Sequence, residues 1–160
     1  MKKNIIAYIA GILDGEAYIG IKKSTWGMRN RKDIYCPTYS ERVQIRMNCR
    51  PILELIQKTF GGSLGTEPRV YQSVSGFKSS KIMSIYRASD KVAYNLIKAT
   101  RPYLIEKSVQ AGCIVALRKN KNSKAAKKRG GQIQKRLMKQ PVLDERERLW
   151  QMCKDCHKHS

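Results

Sequence analysis

The spacing of apolar and polar residues divides the chain into a short series of elements. After Asn4, a residue able to cap a helix start, Ile5, Tyr8, Ile9, Ile12 and Leu13 recur at helical spacing. Residues 17 to 25, rich in Tyr and Ile, read as a strand, and a basic loop around Arg29, Arg31 and Lys32 comes next. From Glu41 to Met47 the pattern becomes alternating, with Val43, Ile45 and Met47 on one side and Arg42, Gln44 and Arg46 on the other. That predicts a half-buried strand with a cationic outer face. Asn48 is placed to cap the next helix, with Pro51 in its first turn, Ile52, Leu53, Leu55 and Ile56 as its buried stripe, and Gly61-Gly62 as its stop. Two more strands are predicted near 63–75 and 80–88, the second carrying Ile82, Ile85 and Tyr86. A helix opening at Ser89 or Asp90 runs through Leu96 and Ile97 to Pro102, and a longer one extends from about Tyr103 to Arg118. A final helix over about Pro141 to Cys156 turns Leu149, Trp150 and Cys153 to an apolar side.

Hairpins with helices segregated to one face make an α+β fold, and 160 residues are enough for one compact domain with a real core. Composition then narrows the function. There are 33 Lys and Arg against 12 Asp and Glu, a net charge of +21, and an imbalance of that size matches a polyanionic partner. Between Lys107 and Leu143 no acidic residue occurs while basic ones are frequent. The stretch 119–131, with Lys119, Lys121, Lys124, Lys127, Lys128 and Arg129, reads as a segment that orders on a phosphate backbone. The chain accordingly divides into a core, 1–118, and a basic loop with a C-terminal helical extension, 119–160, packed on or near it.

The most informative run is Ile9-Ala10-Gly11-Ile12-Leu13-Asp14-Gly15-Glu16-Ala17. Ala7, Gly11 and Gly15 are four apart, so their small side chains share one helix face and allow a second helix close approach. Close packing on the chain's own sheet is the other reading of that stripe. Asp14 and Glu16 stand at the helix C-terminus, where the dipole disfavours acids by a few tenths of a kcal/mol. Two such helices side by side would bring carboxylates together, an arrangement that raises their pKa values or recruits a hard cation such as Mg²⁺. In a strongly cationic chain, that acidic point suggests metal-assisted phosphodiester cleavage.

Residues 9–17 resemble the signature nonapeptide of the LAGLIDADG homing endonucleases, with Ile for Leu at its first and fourth positions. The similarity extends through the strand pair, the Pro51 helix ending Phe60-Gly61-Gly62, the second strand pair, and Arg101-Pro102-Tyr103-Leu104 leading to Lys107, about residues 4–118 in all. The resemblance implies an αββαββα core with a curved antiparallel DNA-binding sheet and C-terminal helices. One copy of the signature implies a homodimer whose first helices pack together, through Ala7, Ala10, Gly11, Asp14 and Gly15 here. Glu16 matches the family's metal-binding acid, with Glu for the more usual Asp, and the Gly15 carbonyl would be a further ligand for Mg²⁺ or Mn²⁺. Lys107 matches a basic residue near the attacking water and the scissile phosphate; an ordinary surface lysine is the plainer reading. Many relatives place a polar residue, often Gln, where the second strand meets the next helix. Met47 and Asn48 stand there instead, so Asn48, and similarly Arg50, are weaker catalytic candidates.

The implied activity is site-specific double-strand cleavage of the intron-encoded homing type, at a long pseudo-palindromic DNA target, leaving 3′ overhangs. A ten-residue strand spans roughly 33 Å, about one turn of B-DNA, so two subunits would cover roughly 20 bp. Candidate contacts on the sheet are Lys22, Lys23, Arg42, Gln44, Arg46, Arg69, Gln72 and Arg87, with Lys119, Lys121, Lys124 and Lys128 adding salt-sensitive affinity. A non-cleaving binder on the same fold, an RNA maturase or a DNA-binding regulator, is the alternative, as is a basic structural RNA-binding protein. Retention of Glu16 and Lys107 favours the nuclease.

Other signals are weaker. Five cysteines do not make a secreted disulfide framework, and Met1-Lys2-Lys3 before Ile5 to Leu13 mimics a signal peptide but lacks a small-residue cleavage site. An intracellular setting with DNA, and no membrane or small-molecule cofactor, is the expectation. Cys153-Lys154-Asp155-Cys156-His157 matches haem-attachment spacing without an export route, and with His159 it lacks the distant second ligand pair of a zinc site. It reads as a helix end with Cys153 inward and both histidines in a tail.

Overall fold

The computed structural model describes residues 3–24, 37–72, 78–123 and 140–157, with the side chains of 68–72 and 78–82 excepted. The elements run α1 (Lys3–Glu16), β1 (Ala17–Ser24), β2 (Thr38–Met47), α2 (Arg50–Phe60), β3 (Ser63–Gln72), β4 (Lys78–Ser89), α3 (Asp90–Thr100), a 3-10 turn (Arg101–Tyr103), α4 (Ser108–Asn122) and α5 (Gln140–Cys156). The four strands form one antiparallel sheet in the order β1-β2-β4-β3. The architecture is α+β, as the residue pattern predicts.

Period-two burial orients the sheet. Tyr39, Glu41, Val43 and Ile45 of β2 are buried against the helices, while Arg42, Gln44 and Arg46 point the other way. Ile9, Ala10 and Leu13 of α1, Leu53 and Ile56 of α2, Ala93, Leu96 and Ile97 of α3, and Ala111, Ile114 and Leu117 of α4 complete the core. α5 adds Leu149 and Cys153, packing on α4 and β1. Burial of Ile9 and Leu13 is worth about 2 kcal/mol each, which outweighs the few tenths that the acids at the end of α1 cost.

Two glycines end α2 for steric reasons. Gly61 and Gly62 have φ of +82° and +103°, and a Cβ on Gly62 would lie 2.8 Å from the Tyr86 ring and 2.9 Å from the Arg87 carbonyl. Tyr86, fully buried, donates its hydroxyl to the Gly61 carbonyl at 2.8 Å, and burial pushes its pKa up to about 12.

Several local expectations are corrected. Helix α1 already includes Lys3, so Asn4 lies within it, and Tyr8 is 52% exposed, off the buried stripe. Asn48 does not cap α2: Cys49 is the N-cap, without a side-chain bond, and Asn48 accepts from the Arg50 N–H through its own carbonyl. The helix expected from Tyr103 begins at Ser108, because the Asp14 carboxylate captures the N–H groups of Ile105 and Lys107 and holds 104–107 out of helical geometry. Lys119 to Asn122 continue α4, while 124–131 lie outside the described residues. His157 is no loose tail: its ring stacks on Tyr18 at 4.5 Å and its Nε2 lies 3.0 Å from the Ile19 carbonyl. The loop around Arg29 to Lys32, and His159, lie outside the described residues.

Candidate active site and nucleic-acid interface

The last carbonyls of a helix lack intrahelical donors and carry the negative end of the dipole. At α1 this end is closed by a reciprocal clasp. Lys107 Nζ donates to the Leu13 and Asp14 carbonyls at 3.1 and 2.6 Å, and Asp14 accepts the N–H of Ile105 at 2.8 Å and of Lys107 at 3.1 Å. Charge-assisted bonds of this kind contribute on the order of 1.5–3 kcal/mol each. Lys107 is therefore not a surface lysine; it is buried, with two of three ammonium donors on the helix end and one left over.

The clasp fixes the backbone at the two residues beyond Asp14. Gly15 and Glu16 are exposed, and Glu16 makes no ion pair among the described residues. Since Ala17 pairs with Ile45, Met47 and Asn48 lie at the same end of the sheet as Glu16. Asn48 is exposed, and Arg50 is bound to Glu54 one turn along α2 at 2.8 Å. A carboxylate and a peptide carbonyl are the hard oxygen donors that Mg²⁺ prefers. Among the described residues no group of three or more His, Cys, Asp or Glu could hold a metal, so one chain supplies only part of a donor set.

The small-residue face of α1 is open. An added Cβ at Gly11 or Gly15 would meet nothing within 4 Å, so close packing on the chain's own sheet does not explain these glycines. Ala7 is half-buried. Ala10 departs from the expectation for a shared face: it is wholly buried in the chain's own core, since it lies between Ile9 and Leu13 on the inward side.

The outer sheet face carries Tyr18 and Lys22 from β1, Arg42, Gln44 and Arg46 from β2, and Arg87 from β4. Arg42 donates to Gln44 at 2.8 Å, and Gln44 stands opposite Arg87 in register. Lys22 and Lys119 are exposed. Two expected contacts point elsewhere. Lys23, one residue from Lys22, faces the helices: its Nζ is 2.6 Å from Glu147 of α5 and 4.8 Å from the Trp150 ring centre. Burial raises the Glu147 pKa, but bonds from Lys23 and Tyr39 outweigh it and hold this carboxyl below its usual range. Lys121 is tied to Glu41 at 2.7 Å and Asp90 at 3.2 Å. The side chains of Arg69 and Gln72, and residues Lys124 and Lys128, lie outside the described ones.

Three acids escaped the sequence reading. Glu41 is fully buried and paired with both Arg118, at 2.9 Å, and Lys121. Glu147 gathers Lys23 and Tyr39, and Glu67 on β3 gathers Arg46 and Arg87. Glu41 was legible, since it falls on the apolar side of the alternation with Val43 and Ile45. Glu67 was not, because the phase of β3 is ambiguous in sequence.

No protein-family model and no curated protein matches the chain. Solved structures do match. The homing endonuclease I-CvuI, in complex with the I-CreI target, is 18% identical, with 94% of this chain and 80% of that one covered and a TM-score of 0.61. The archaeal intron-encoded homing endonuclease I-Vdi141I, complexed with DNA, is 14% identical over 97% and 83%, at 0.58. The LAGLIDADG homing endonuclease I-SmaMI, bound to cleaved DNA, is 16% identical over 92% of this chain but 43% of that one, at 0.60. Signature run and backbone thus point the same way: the chain has the fold of the LAGLIDADG homing endonucleases.

Proposed function

We propose that the chain is one subunit of a homodimeric, metal-dependent, site-specific DNA endonuclease that cuts both strands of a long pseudo-palindromic target. The observation that carries this reading is the clasped end of α1: an open glycine face leads to an exposed carboxylate beside a cationic sheet. Two chains meeting through Ala7, Gly11 and Gly15 would bring both Glu16 carboxylates to one axis, beneath a duplex lying across both sheets. The coverage supports that stoichiometry, since the chain spans 80% of I-CvuI but 43% of I-SmaMI. Core 1–118 would carry the chemistry, with 119–160 supporting it through α5 and a basic loop.

Glu16 and the Gly15 carbonyl, with their copies in the second chain, would hold Mg²⁺ or Mn²⁺; a bound divalent ion lowers the pKa of water and neutralises charge on phosphate oxygens. I-CvuI was crystallised with the I-CreI target in 2 mM Mg, the DNA not cleaved, and with its own target in 2 mM Ca. The chain's own residues position that site. Asp14 and Lys107 fix the backbone from which Gly15 and Glu16 project, and the third ammonium donor of Lys107 is available to a water or phosphate oxygen. Arg42, Gln44 and Arg87 would read base edges, Arg suiting guanine and Gln suiting adenine, while Lys22 and Lys119 hold phosphates.

Incubation with Mg²⁺ and a library of random duplexes tests the proposal. Discrete double-strand breaks with 3′ overhangs at one approximately palindromic sequence are expected. Tight, sequence-specific binding with no cleavage in Mg²⁺ or Mn²⁺ would contradict it.

A further inference from the structure

Among the described residues, the charged side chains on the outer face of the sheet are cationic except at one point. Glu67 of β3 sits between Arg46 of β2 and Arg87 of β4: its Oε2 is 3.2 Å from the Arg46 guanidinium, and its Oε1 accepts from Arg87. Beneath the cluster lies Ile85, which shares this face with Arg46 in register and is nonetheless fully buried. Arg87 covers the floor closely, since a Cβ on Gly65 would be 3.8 Å from both its Nη1 and the Ile85 side chain. The three charged side chains remain 39–55% exposed, so the ion pairs contribute little to stability. A carboxylate here is also unfavourable towards phosphates. Its placement calls for another reason.

We propose that Glu67 is a specificity-determining residue: it holds Arg46 and Arg87 against the sheet, suppresses their capture by phosphates, and accepts the amino group of a cytosine. The inference rests on the DNA-binding reading above. In the major groove, guanine offers two acceptors, which suit arginine, and its paired cytosine offers an amino donor, which suits a carboxylate. An arginine beside a carboxylate therefore complements one G·C pair, whereas phosphates and thymine present no donor to Glu67. Without the carboxylate, both guanidinium groups become free to track the backbone of any sequence.

The test compares the parent with E67Q and E67D on a random-sequence duplex, in KCl without divalent metal, and then in selections from a randomised library. Each added phosphate contact steepens log K against log salt by about 0.9, so E67Q should steepen it by about 0.9–1.8 and bind random DNA about tenfold more tightly at low salt. E67D should stay near the parent, and E67Q selections should lose a G·C pair that parental ones keep in each half-site. A parental salt slope for E67Q, or an unchanged selected sequence, would overturn the inference while leaving DNA binding intact. Failure of the parent itself to bind DNA would overturn the broader reading and this inference together.

Discussion

Glu16→Gln is expected to abolish double-strand cleavage while leaving the fold and DNA affinity unchanged. Gln keeps the shape and one oxygen but removes the charge a hard cation needs. Removal of one preorganised stabilising group commonly costs about 10²–10³ in rate, and a homodimer carries the change in both halves of its site. Cleavage should therefore fall by at least about 10³-fold. Glu16 is exposed and unpaired among the described residues, so stability should shift by no more than about 0.5 kcal/mol. Single-turnover cleavage of a mapped target, with binding measured in parallel, separates the two effects. Cutting by Glu16→Gln at the parental rate would remove this residue from the chemistry.

The second large effect concerns stability. Glu41 is fully buried on the helix side of β2, between Arg118 and Lys121 of α4. Both cations are mostly buried, with side-chain exposures of 18% and 20%. Glu41→Ala would leave Arg118 without its acid and Lys121 with only the exposed Asp90, and breaking a buried pair from one side costs about 3–5 kcal/mol. For a chain of this size that lowers Tm by roughly 10 °C. Adding Arg118→Met and Lys121→Met should recover much of the loss, because the uncompensated charges go too. A Tm for Glu41→Ala within about 2 °C of the parent, read by circular dichroism, would show that the triad is not a structural tie.

Most of the architecture was legible because two periodicities carry it. Alternation from Glu41 to Met47 placed a cationic strand face, and glycines with positive φ ended α2 where Gly61-Gly62 predicts. What escaped was set by contacts between residues far apart in sequence. Nothing in Tyr103 to Lys107 announces that Asp14 will capture two of its N–H groups and delay α4 to Ser108. Lys23 and Lys121 looked like DNA contacts by charge alone, yet each meets an acid more than 75 residues distant, Glu147 or Glu41. Composition counts cations without saying which are already paired. The acidic end of α1 was visible from its nonapeptide, but the reason it is tolerated, an ammonium from Lys107 on the last carbonyls, needed three dimensions.

If two copies of α1 pair through their open glycine face, the mass of the particle in solution will show it. Native mass spectrometry of the parent should give twice the 18.4 kDa chain mass, alone or on DNA. Gly11→Leu should give a single chain that keeps its fold by circular dichroism, since a Cβ at this position meets nothing within 4 Å in its own subunit. A parent that stays a single chain even on DNA, or a Gly11→Leu variant that still forms the dimer and cuts normally, would contradict the account.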